Sequence, residues 1–134
     1  MSKRYRVFLI DDNRIEQKLF TLLVNIKQLP LDVTTFIDAE SALSSLEMLS
    51  DGEFPDAIIT DIKMPLMDGF ELADALMEKY ENKSKDMLFI INSSTIRTED
   101  IERATEHPLV SSFVEKPFNE EKVRQHILGK LNGS

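Results

Sequence analysis

Short apolar runs and longer amphipathic stretches take turns along the chain. Val7-Phe8-Leu9-Ile10, Ala57-Ile58-Ile59 and Met87-Leu88-Phe89-Ile90-Ile91 are continuous rather than alternating. Such runs suit strands covered on both faces, as in a parallel sheet flanked by helices. Val33 to Ile37 and Ser112 to Val114 read as weaker strands. Between the runs the period becomes helical. Ile15, Leu19, Leu22 and Ile26 share one helical face, as do Leu72, Ala73, Leu76, Met77 and Tyr80, and later Val123, Ile127 and Leu131. Leu43, Leu46 and Leu49 suggest one more helix.

Polar residues mark where these helices begin. Asn13, with Glu16 three residues on, and Asn119, ahead of Glu120 and Glu121, have the chemistry of N-caps. Asp38 and Thr98 are weaker candidates, and Asp68 pairs with Glu71 across Gly69 in the spacing of a capping box. Ile96 to Pro108 has the poorest apolar face, anchored by Ile101 and Ala104, and is expected to pack least securely. The alternation predicts an α/β fold: a three-layer, doubly wound sheet of about five parallel strands with helices on both faces. No long linker, repeat or low-complexity tract interrupts it, so one domain is expected over residues 1–134, with a core at about 5–131 and no output domain.

Composition narrows the function. Hydrophobic residues make up 42% of the 134, enough for one core without staples. The chain has no cysteine, which removes disulfides, thiolate metal sites and thiol nucleophiles. Sixteen Lys plus Arg against 24 Asp plus Glu give a net charge of -8, which opposes binding to nucleic acid or to an anionic membrane. The basic start meets only a four-residue apolar run before two aspartates, too short for a signal peptide or membrane span. A cytoplasmic protein is expected.

In an open parallel sheet, ligands bind beyond the carboxyl ends of the strands. Those ends carry Asp11 and Asp12, Asp61, the run Asn92-Ser93-Ser94, and Lys116-Pro117-Phe118. Three carboxylates facing one lysine leave about two negative charges in surplus, a repulsion of several kcal/mol at a few ångströms. A hard cation relieves it. Magnesium takes oxygen ligands and often pairs with phosphate oxygens, which suits a pocket for a metal and a phosphoryl group together. The lysine can then neutralise a phosphoryl oxygen and the serine hydroxyl can donate to another. His107 and His126 lie away from the strand ends.

On four segments the chain resembles the receiver domains of two-component response regulators, in particular the stand-alone chemotaxis type. They are Leu9-Ile10-Asp11-Asp12-Asn13, Ile59 through Gly69 around Asp61, Ser93-Ser94, and Phe113-Val114-Glu115-Lys116-Pro117-Phe118. The resemblance implies a flavodoxin-like fold and an Asp61 that accepts a phosphoryl group from a phosphohistidine on a sensor histidine kinase or histidine phosphotransfer protein. It implies magnesium held by Asp12, Asp61 and the main-chain carbonyl of Lys63, with Asp11 acting through water. Ser93 would bond the phosphoryl group, Lys116 would pair with it, and the Lys116-Pro117 bond would be cis. Lys63 and Thr95 fall at positions that tune the lifetime of the phosphorylated state.

The expected mechanism is a two-state switch in which Ser93 moves inward and Phe113 turns behind it. That would alter the face made by the Ile101 helix, the Phe113 strand and the Val123 helix, and with it the affinity for a downstream protein. The chain is expected to be no enzyme beyond its own phosphorylation and dephosphorylation. Two other readings stay open: a magnesium-dependent phosphohydrolase and a phosphorylation-independent adaptor. The haloacid dehalogenase superfamily places a second acid two residues after its nucleophile, where this chain has Lys63.

Overall fold

The computed structural model describes residues 3–84 and 86–132. Five strands, β1 (Tyr5–Ile10), β2 (Leu31–Phe36), β3 (Ala57–Thr60), β4 (Leu88–Ser93) and β5 (Ser112–Glu115), form one sheet in the order β2-β1-β3-β4-β5. All neighbours run parallel, with Val7 opposite Val33 and Ala57, Ile59 opposite Ile90, and Ile91 opposite Phe113. This is the flavodoxin-like order anticipated above.

The continuous apolar runs follow from alternation across a sheet with two covered faces. Phe8, Ile10, Ile58, Phe89 and Ile91 point into one core, with α2 (Ala39–Glu47), α3 (Gly69–Lys79) and α4 (Thr98–Glu106) packed over them. Val7, Leu9, Ala57, Ile59, Ile90 and Val114 point into the other, covered by α1 (Arg14–Ile26) and the last helix, α5 (residues 120–131). A 3-10 turn at Asp51–Glu53 and a single helical turn at Glu81–Ser84 complete the connections. Among the described residues no helix is long and apolar enough to cross a membrane.

Three expectations need correction. The face of α1 marked by Ile15, Leu19, Leu22 and Ile26 points outward: these residues are 68, 51, 52 and 71% exposed. Phe20 and Val24 are the buried residues of α1, and the Phe20 ring meets Phe118 edge-on at 5.4 Å. Thr98 is not a cap: it is the first residue of α4, and the preceding Arg97 makes no side-chain cap bond. Asn13, Asp38, Asp68 and Asn119 do accept first-turn N–H groups. Strand limits move as well. β2 begins at Leu31, which pairs with Tyr5, and stops before Ile37, whereas β4 starts at Leu88 and runs on to Ser93. β4 extends through Asn92 and Ser93 because they pair with Val114 and Glu115 of β5, and the Asn92 side-chain amide also donates to the Val114 carbonyl at 3.0 Å.

α4 is thinly anchored. Ala104 is its one buried residue, and Ile101 is 38% exposed. Two polar contacts one turn apart fasten it to α3. The Arg103 guanidinium lies 4.3 Å from the Phe70 ring centroid, and His107 Nε2 lies 2.7 Å from Asp74. Because the Leu109 N–H donates to His107 Nδ1, Nε2 is the nitrogen that carries a proton towards Asp74.

α5 is α-helical over Glu120–Val123, widens to a π turn over Arg124–Leu128 and closes as α-helix over Gly129–Leu131. Lys122 Nζ donates to the carbonyls of Glu115 and Pro117, and Lys130 Nζ to the carbonyl of Ser111. His126 lies between them, 3.3 Å from Ser112 Oγ. Burial lowers its pKa below the usual histidine value, and the charges of Lys130 and Lys122 lower it further. The folded state therefore favours neutral His126, a stabilisation present above the ordinary histidine pKa and lost as pH falls through it towards the lowered value. Between about pH 7.5 and pH 5.5, His126→Gln should lose less stability than wild type in urea melts. Equal losses would show that His126 does not contribute.

Candidate functional site

β1 leads outward to β2, and the chain then crosses to the other side of β1 to form β3, so the sheet's switch point lies between the carboxyl ends of β1 and β3. Asp11, Asp12 and Asp61 sit there. Each offers one carboxylate oxygen within 4.8 Å of the others. Asp11 is buried, Asp61 half-buried and Asp12 exposed. Such a graded set can offer oxygen ligands inward and leave a side open to water and a substrate.

Lys116 enters from the end of β5. Its ammonium donates to Asp11 Oδ2 at 2.7 Å and to Asp61 Oδ2 at 3.0 Å. The Lys116 main-chain N–H donates to the Ser93 carbonyl at 2.8 Å, and the Lys116-Pro117 peptide is cis. Burial pulls the ammonium's pKa down, but the hydrogen bonds and charges of the two aspartates outweigh burial and hold it above the ordinary lysine value. Asp11 Oδ1 also accepts the Asn13 N–H, and Asp61 Oδ1 accepts the Ile62 N–H at 2.7 Å. Both oxygens of Asp61 are thus fixed, while its side chain keeps 19% exposure.

The backbone under Asp61 is clamped by α3. Gly69 N–H donates to the Ile62 carbonyl at 2.8 Å, and a Cβ at Gly69 would stand 2.5 Å from the Asp61 carbonyl oxygen. That oxygen also accepts Thr60 Oγ1 at 3.0 Å, so it cannot move aside freely. Gly69→Ala is expected to cost about 1–3 kcal/mol in urea melts and to weaken metal uptake, because the Asp61 loop must shift. An alanine variant as stable as wild type would show that the loop yields. Leu66, in the same loop, is exposed and holds φ at 71°, a left-handed conformation that disfavours leucine.

The remaining predicted positions surround this centre. Lys63 is exposed, two residues past Asp61. Ser93 is buried, and its hydroxyl donates to the Thr95 carbonyl at 3.0 Å while accepting the Thr95 N–H at 3.2 Å. Thr95 is exposed, and Phe113 is half-buried against the α3–α4 core. The geometry also brings in Gln17 of α1, which was not anticipated: its amide bonds the main chain at Asp11. The available signal was a lone amide sharing a helix face with Phe20 and Val24.

Residues 7–128 match the model of the response regulator receiver domain, and the chain belongs to that family, the receiver modules of two-component signalling. It is 34% identical over 118 residues to the sensor histidine kinase CheAY of Helicobacter pylori, covering 87% of this chain and 14% of that protein. It is 31% identical over 127 residues to chemotaxis protein CheV3 of the same organism, covering 90% and 39%. The chain thus spans well under half the length of these two relatives. A two-component response regulator from Cytophaga hutchinsonii superimposes with a TM-score of 0.89 at 25% identity, over 98% of this chain and 99% of that one. The receiver domain of the Pseudomonas aeruginosa sensor histidine kinase PA1611, described with a magnesium ion coordinated in its active site cleft, aligns with a TM-score of 0.76 at 24% identity, over 98% and 99%.

Proposed function

We propose that the chain accepts a phosphoryl group on Asp61 from a phosphohistidine of a kinase or phosphotransfer protein, with magnesium, and thereby changes its affinity for a downstream protein. One observation carries this reading: the Asp61 carboxylate is aimed by Ile62 N–H and Lys116, yet open to solvent beside two further carboxylates. In the transfer, a bond forms between an Asp61 oxygen and phosphorus as the phosphorus–nitrogen bond breaks, and the leaving imidazole keeps the electron pair. Asp12, Asp61 and the Lys63 carbonyl would hold the metal, with Asp11 behind them. Bound there, magnesium would neutralise phosphoryl oxygens in the transition state. Lys116 would shift from Asp61 towards the incoming group while keeping Asp11. The chain catalyses only its own phosphorylation and dephosphorylation.

The exposed stripe on α1 supports a protein donor. Ile15, Leu19, Leu22 and Ile26 are exposed on one face of α1, a helix that begins two residues after Asp12. A surface of that kind is suited to the partner that brings the phosphohistidine. For the output we place the change on α4, β5 and α5. Among the described residues the Ser93 hydroxyl is engaged only with the Thr95 backbone, Phe113 is half-buried, and α4 buries only Ala104.

The test is chemical. Incubation with magnesium and acetyl phosphate should give an acid-stable, base-labile adduct that maps to Asp61. Adduct on another residue, or steady turnover of small phosphate esters, would replace this reading with another.

A further inference from the structure

We propose that Gln17 is a positioning residue for the metal site, holding the peptide that joins Asp11 to Asp12; this rests on the magnesium reading above. Gln17 Nε2 donates to the Asp11 carbonyl at 2.8 Å and to the Phe36 carbonyl at 3.0 Å. Both partners are acceptors, so only the NH₂ end of the amide fits there, and its two hydrogens serve the ends of two neighbouring strands. The Phe36 carbonyl also accepts the Asp11 N–H at 3.0 Å, which ties the end of β2 into the same cluster.

The Asp11 carbonyl and the Asp12 N–H belong to one planar unit. Fixing that oxygen fixes the plane from which the Asp12 backbone departs. On the far side of Asp12, the Asn13 N–H is held by Asp11 Oδ1 at 2.9 Å. Asp12 is thus clamped at both flanking peptides while its own side chain is exposed. Without the Gln17 donors the plane can rotate, and the Asp12 carboxylate leaves the cluster in which its ligand atom lies within 4.8 Å of those of Asp11 and Asp61. Groups that orient ligands from behind commonly change metal affinity by about 10- to 100-fold.

Titration with magnesium chloride alone, followed by calorimetry, tests this. Methionine matches glutamine in length but has no donor, and Gln17→Met should bind magnesium about tenfold more weakly than wild type while still unfolding cooperatively. Gln17→Lys, which keeps a donor of similar reach, should recover most of that loss. Val24→Ala truncates a buried residue on the same helix face; it should lose stability yet hold its magnesium affinity within about twofold. The amide resonances of Asp12 and Asn13 should move in Gln17→Met and stay in place in Val24→Ala. Should Gln17→Met fail to fold, Gln17→Asn withdraws the donor by one methylene and gives the same readout. Magnesium affinity unchanged in the donor-less variant, or weakened equally by Val24→Ala, would overturn the role of Gln17 and leave the metal site standing. A wild-type chain that takes up no magnesium would instead overturn the metal reading itself, and the inference with it.

Discussion

Asparagine in place of Asp61 is expected to leave the fold intact and to abolish phosphoryl uptake. The amide keeps an oxygen for the Ile62 N–H, which now donates to Asp61 Oδ1, and Lys116 keeps its 2.7 Å bond to Asp11. What goes is the charged nucleophile and one of the three carboxylates gathered at the switch point. Without divalent metal the variant should be slightly more stable than wild type, by on the order of 1 kcal/mol, because the negative surplus falls from about two charges to one. Magnesium should then stabilise it less than it stabilises wild type. Thermal melts with and without magnesium, run beside an acetyl phosphate assay, separate the two effects. Adduct forming on the asparagine variant as fast as on wild type would remove Asp61 from the centre of the account.

Methionine at Lys116 should have the opposite effect on stability. The lysine side chain is 8% exposed and that of Asp11 only 3%, so removing the ammonium strands a buried carboxylate. Breaking a pair of this kind by deleting one partner costs about 3 kcal/mol. The raised pKa of Lys116 gives the sign: its stabilisation is fully present below the ordinary lysine value and is lost only as pH rises past the folded value. Near neutrality the wild-type pair is complete. In the variant the burden falls on the Asp11 carboxylate, left buried without its cation. Magnesium should restore part of the loss at neutral pH. Urea melts with and without magnesium read both effects; a variant as stable as wild type would mean that no charge is stranded at Asp11.

Much of the architecture was legible because the central strands have no solvent face. Val7 to Ile10 and Ala57 to Ile59 must be apolar at every position, and a run of that kind has few other uses. The same reading placed Asp11, Asp12, Asp61 and Lys116 at strand ends, and the fold brings them together. Direction was the harder part. Periodicity shows that Ile15, Leu19, Leu22 and Ile26 share a face of α1, but not that Phe20 and Val24 are the residues turned to the sheet. Both sets are apolar, and the choice depends on Val7, Leu9 and Phe118, which lie far away in sequence. Asn92 and Ser93 read as loop by propensity, yet both pair with β5, opposite Val114 and Glu115, and the Asn92 side chain adds a bond across the sheet. Gln17 and the Asp74–His107 contact were hidden for the same reason: each joins groups whose nearness exists only once the sheet has formed.

β5 closes one side of the sheet, and among the described residues no sixth strand lies beside it. A row of open peptide groups at such a margin invites another chain to add itself. Two ammonium groups from α5 stand in the way, because Lys122 occupies the Glu115 oxygen and Lys130 that of Ser111. A newcomer would have to displace both ammonium groups from those oxygens. The helix that seals the core thus also guards the molecule against unwanted polymerisation through its margin.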